Sequence, residues 1–162
     1  MSSLPPLPFM RPFLRRYDLF ISHAWDYKGE YEGLVNLLNL VPNFVWNNLS
    51  VPEERPLQVM LLLPRSYRYL VRQLDERISQ ADCVLVLAGM YVSHRGWIQS
   101  EIEAAKEFHK PIIAVEPRGS ERFPEAVMHA ADERVGWNSV SIVSAIRRHA
   151  GIPPLIAPPT LR

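Results

Sequence analysis

ADCVLVLAGMYVSHRGWIQSEIEAAKEFHKPIIAVEP, residues 81 to 117, holds two apolar runs with a helical pattern between them. Cys83 to Ala88 is unbroken by any polar side chain, which is the pattern of a strand buried on both faces. PIIAVEP, residues 111 to 117, is a second such strand. Between them, SHRGWIQSEIEAAKEFH (93–109) puts Trp97, Ile98, Ala105 and Phe108 on one helical arc of about 100°. Gln99, Glu103, Lys106 and Lys110 supply the solvent face. Two buried strands joined by a helix make a right-handed parallel crossover, and that fixes the fold class.

The same alternation extends in both directions. YDLFISHAW (17–25) opens with a short apolar strand at Leu19, Phe20 and Ile21, and Ser22 to Trp25 follow as its C-terminal loop. Glu30 to Leu40 has helical spacing and is stopped by Pro42; FVWNN (44–48) is a second strand, at an edge. Residues 49–66 carry three prolines and read as a long connection with an apolar patch at Val59 to Leu63. Leu70, Val71, Leu74 and Ile78 then mark a helix over 66–80. After a mixed segment (118–131), ERVGW (133–137) is a weak last strand, and SVSIVSAIRRHA (139–150) a last helix capped by Asn138. The expected fold is α/β, a flavodoxin-like three-layer sandwich: a central parallel sheet of about five strands with helices on both faces. Its ligand crevice lies at the carboxyl ends of the strands.

Composition narrows the function. With 162 residues, 48% hydrophobic and 22% charged, the chain is one globular domain large enough to bury a core. The formal net charge of +1 and the lack of a basic run give no support for nucleic acid as a partner. No stretch approaches 18 apolar residues and the opening residues lack a signal-peptide core, so no membrane role and a cytoplasmic location are expected. The single cysteine, Cys83, reads as a small buried thiol in a reducing compartment. The two ends, 1–16 and 151–162, hold 8 of the 15 prolines and read as an arm and a tail around a compact domain of residues 17–150.

Glu101 is the residue that needs a reason. It falls inside the apolar arc of its helix, although that helix has a solvent face to carry carboxylates. Two readings are open from the pattern: a structural buried acid satisfied by backbone N–H groups or a basic partner, or a functional carboxylate at the mouth of a pocket. The topology brings the loop after Ile21, with Ser22, His23 and Trp25, to the crevice beside Trp97 and Glu101. His94, His109, His129 and His149 show no metal spacing and read as surface residues, so no metal site is expected.

The YDLFISHAW start, the VLVLAG strand (84–89) and the Trp97-x-x-x-Glu101 pair resemble a TIR domain. SHRGWIQSEI (93–102) after a hydrophobic strand is more closely similar to the stand-alone TIR-like proteins of the bacterial Thoeris anti-phage system. The resemblance spans roughly residues 17 to 150. It implies an NAD glycohydrolase or cyclase in which Glu101 is the catalytic residue, and NAD is the substrate rather than a cofactor. It also implies an ADP-ribose-derived, cyclic or modified, signal that activates a separate effector protein. Trp97 is then a wall of the pocket, and Ser22, His23, Ala24 and Trp25 line the nucleotide site. The bond to be broken joins nicotinamide to ribose, and a carboxylate in a low-dielectric pocket suits the oxocarbenium-like ribose left behind.

The adaptor-type signature of TIR domains, Arg-Asp then Pro-Gly after the second strand, is absent, which disfavours a signalling adaptor. G-x-G-x-x-G and P-loop motifs are absent too. The alternative is a non-catalytic TIR-like module for interaction and assembly, with the 59–63 patch as its contact surface. The proline-rich arms and the same patch suggest contacts between copies, a homo-oligomer. A phosphorylation switch of receiver type would need an aspartate at the end of a central strand, and VLVLAGMY has none.

Overall fold

The structure is a computed structural model, and the residues described are 14–22, 28–51, 64–90, 95–116 and 124–151. Five strands, β1 (Arg16–Ser22), β2 (Val45–Asn48), β3 (Cys83–Leu87), β4 (Ile112–Val115) and β5 (Glu133–Val135), pair in parallel in the order β2-β1-β3-β4-β5. The helices among the described residues are α1 (Lys28–Asn39), α2 (Pro64–Gln80), α3 (Arg95–Glu107), α4 (Glu125–Ala130) and α5 (Ser139–His149), with a 3₁₀ turn at Ala88–Met90. Helix α1 packs beside α5, and α2 beside α3, so the sheet is clothed on both faces. None of the described helices is long and apolar enough to cross a membrane.

Burial follows the sequence pattern. All five residues of β3 and all four of β4 are buried, as continuous apolar runs in a parallel sheet require. The edge strands β2 and β5 carry the polar residues Asn47, Asn48 and Arg134, which blunt the edges against further pairing. Cys83 is fully buried, and desolvation first, then the nearby Asp82, pushes its thiol up to about 12. It is an inert packing residue.

Two aspartates close the N-terminal pole of the sheet in the same way. Asp82 accepts the N–H of Asp18 at 2.9 Å while its own N–H donates to the Asp18 carbonyl at 2.6 Å. Asp132 accepts the N–H of Ile112 at 2.8 Å and donates to the Ile112 carbonyl at 2.8 Å. Each aspartate, one residue before its own strand, thereby ties the start of that strand to its neighbour. Arg15 adds a further tie, donating to the Ala150 carbonyl at 2.8 Å, to the Gly151 carbonyl and to Asp82. Its guanidinium lies 4.6 Å from the Tyr17 ring, which stacks on Phe44.

Several boundaries differ from the sequence expectation. β1 is longer than its apolar core: it takes in Arg16, assigned to the arm, and ends with Ser22, assigned to the loop, because Ser22 still pairs with Val86. Pro64, read as connection, is the first residue of α2, where a missing N–H costs nothing. Within the mixed segment, Glu125–Ala130 forms the short α4, with Pro124 as its N-cap. His149, taken as a surface residue, is half-buried and lies 2.7 Å from Glu133. Asn138 caps α5 as expected, its side chain accepting from the Ser141 N–H at 2.8 Å. The 59–63 patch and nearly all of the two proline-rich ends lie outside the described residues.

One contact links this frame to the crevice. β2 stops at Asn48, opposite Leu19, so it supplies no strand partner to Ile21; the buried Ser50 hydroxyl accepts the Ile21 N–H instead, at 3.0 Å. Arg77 of α2 holds the Leu49 and Ser50 carbonyls at 3.2 and 3.1 Å. Ser50→Ala removes the acceptor, and chemical denaturation should show a loss of about 1–3 kcal/mol.

Candidate active site around Glu101

In the order β2-β1-β3 the chain leaves β1 to one side and returns to the other. The topological switch point therefore lies between the carboxyl ends of β1 and β3. Ser22 is the last residue of β1 and the turn from Ala88 follows β3, so both open at that point. Helix α3 then runs back down the sheet and buries Ile98, Glu101, Ile102, Ala104 and Ala105. Glu101 is therefore on the buried face, as its place in the apolar arc required.

Its carboxylate is 2% exposed and has two side-chain donors. The Ser22 hydroxyl, from a residue with no exposed surface, donates to Glu101 Oε2. The half-buried Trp97, one turn earlier on α3, supplies the second hydrogen bond through its indole N–H. These are opposing influences on one proton. Desolvation is the larger and pushes the Glu101 carboxyl from 4.5 up to about 8, while the bonds from Ser22 and then Trp97 pull it part of the way back.

The structure thus brings three of the sequence-predicted residues together: Glu101, Ser22 and Trp97. It gives Ser22 a different task from the expected one, since its hydroxyl is spent on Glu101 in full burial. His23, Ala24 and Trp25 lie outside the described residues. The pairing of Ser22 with Glu101 was not foreseen, although a signal existed: each is a polar residue in a segment buried by pattern, and a buried polar group needs a partner.

What this arrangement can do is hold one ionisable oxygen pair in a fixed place with a proton affinity near neutrality, a property of general acids, bases and charge stabilisers. It also has a cost. The folded carboxyl keeps its proton to higher pH than the unfolded chain does, so the native state binds the extra proton between pH 4.5 and about 8. Stability contributed by the neutral form is complete below that window and is lost as pH rises through it. Glu101→Gln keeps the shape and cannot ionise. Thermal melts should show the variant more stable than wild type at pH 8–9, by on the order of 5–10 °C, with the gap closing toward pH 5. Equal melting temperatures across that range would contradict the buried-acid assignment.

No curated protein matches the chain. Among solved structures, the Clostridium botulinum CMP N-glycosidase BcmB is similar at a TM-score of 0.49 and 13% identity, covering 81% of this chain and 98% of that one. The family model for the TIR-like domain of Thoeris protein ThsB matches residues 20–122, which takes in the end of β1, all of β2 through β4, and Ser22, Trp97 and Glu101. More than half of the chain lies within that match, and the chain belongs to the ThsB TIR-like domain family.

Proposed function

We propose that the chain is a TIR-type enzyme that cleaves the nicotinamide–ribose bond of NAD, with Glu101 as its catalytic carboxylate. The observation that carries this reading is the placement of Glu101: a buried carboxylate at the switch point of the sheet, held by Ser22 and Trp97.

The chemistry matches the site. As the C–N bond breaks, its electron pair leaves with nicotinamide, whose ring nitrogen becomes neutral and needs no proton. Positive charge passes to the ribose, and the Glu101 carboxylate opposes it in surroundings where water does not screen the attraction. Addition of water to the ribose carbon, with loss of one proton, gives ADP-ribose; attack by a nucleophile of the same molecule gives a cyclic product. Trp97 forms a wall of the pocket, and Ser22 fixes the Glu101 rotamer from behind. His23, Ala24 and Trp25, on the stretch after β1, are proposed to line the nucleotide side. The family suggests the rest: an ADP-ribose-derived signal in anti-phage defence that acts on a separate effector.

Two measurements test this reading. Purified protein incubated with NAD, with and without lysate from phage-infected cells, should release nicotinamide together with a new ADP-ribose species by mass spectrometry, and Glu101→Gln should fold yet release none. A Gln variant with wild-type turnover would sink the assignment, and an absence of turnover in every condition would favour the assembly module. The second test is the pH profile. The ionised carboxylate is the active form in the free enzyme, so kcat/KM should rise about tenfold from pH 7 to pH 9. In Ser22→Ala the rise should move to higher pH, because a bond that favours the charged form is gone.

A further inference from the structure

At the pole opposite Glu101, the C-terminal end of α3 and the starts of β4 and β5 border an open cleft of about 400 Å³. Its lining includes Lys106, His109, Lys110, Ile112, Asp132 and, from α5, His149. Along α3 it stands roughly 12 Å from Glu101, at 1.5 Å per residue. We propose that this cleft is a binding site for a small sugar phosphate.

The charge is out of balance there. Among the described residues neither Lys106 nor Lys110 has a carboxylate within ion-pair distance. Of the nearby acids, Glu133 holds Arg148 and His149, Glu103 accepts from Gln99, and Asp132 Oδ2 accepts the Ile112 N–H. Against the two ammonium groups stand the Asp132 carboxylate and about half an elementary charge at the negative end of α3, which leaves a lining that is net positive by about half a charge before either imidazole is protonated. Two ammonium groups without a carboxylate partner suit a phosphate.

The backbone carries a second sign. Helix α3 ends in a Schellman turn, with the Lys110 N–H donating to the Ala105 carbonyl at 2.8 Å and the His109 N–H to the Lys106 carbonyl at 3.1 Å. The residue in the left-handed position of such a turn is by default glycine, yet here it is His109, at φ 53°. Histidine is among the side chains that tolerate this conformation, and here its imidazole lines the cleft beside the two lysines. Among the described residues Asp132 makes no hydrogen bond through Oδ1, which leaves an acceptor for a sugar hydroxyl. The volume falls in the range of small-molecule pockets.

The test is titration of the purified full chain with ribose 5-phosphate, inorganic phosphate and ribose, followed by amide chemical shifts. It reads binding alone, so its outcome is independent of NAD turnover. Ribose 5-phosphate should give saturable shifts at residues 106–112 and 132, and should bind more tightly than inorganic phosphate or ribose. The Lys106→Gln/Lys110→Gln pair should weaken it at least tenfold, and Glu101→Gln should leave it unchanged. His109→Gly should weaken binding while preserving or raising the melting temperature, which separates a ligand contact from a structural role. No saturable shift, shifts centred on residues 22 and 97–101, or equal affinity for phosphate and ribose 5-phosphate would overturn the proposal.

Discussion

Burying a carboxylate against an apolar wall is the constraint on which this structure turns. A charge at Glu101 would be costly without donors, and the donors come from two places: Ser22 across the sheet at the end of β1, and Trp97 one turn back along α3. For Ser22 to reach Glu101, β1 must continue one residue beyond its apolar core and remain paired with β3 at Val86. For β1 to continue that far past the end of β2, its Ile21 N–H needs an acceptor, and Ser50 provides one. The buried polar residues among those described are Ser22, Ser50 and Glu101, and all three belong to this one sequence of contacts.

The rest of the sheet supports the expense. β3 and β4 contribute nine consecutive-pattern residues with no exposed surface to speak of, and the apolar face of α3 lies against them. A site that disfavours its own ionised state must be held by packing it does not supply, and here the packing sits immediately beside it. This is the usual division in a doubly wound sheet, where the strand interiors stabilise and the carboxyl ends carry chemistry.

Most of the fold was legible because buried parallel strands read as unbroken apolar runs and the helices kept their period. Cys83 to Leu87 and Ile112 to Val115 could hardly be anything else. What the sequence pattern does not show is set by single polar contacts or by length. Ser22 looks like a loop residue until its partner is known, since its burial depends on a glutamate 79 positions away. Helix α4 has six residues, too few to show a helical period. His149 looked like a surface residue on its own helix, and only the position of β5 brings Glu133 beside it. Glu101 was legible as an anomaly because three facts about it clash: its charge, its place on the arc and the solvent face available elsewhere.

On the proposed reaction, that anomaly has a kinetic meaning. At neutral pH burial keeps Glu101 mostly as the neutral acid, its carboxyl pushed up to about 8. A neutral carboxyl has little with which to oppose a ribosyl cation, so the resting site is a weak catalyst toward anything that brings no charge of its own. NAD brings a pyridinium. A cation entering beside the carboxyl favours the ionised form, while a neutral sugar or nucleoside leaves the proton where it was. In that proposal the substrate's own charge favours the ionised form of the group that opposes the ribosyl cation, and the burial that destabilises the fold above neutral pH becomes the source of discrimination. A surface glutamate, ionised at all times, would offer the same carboxylate without that selectivity.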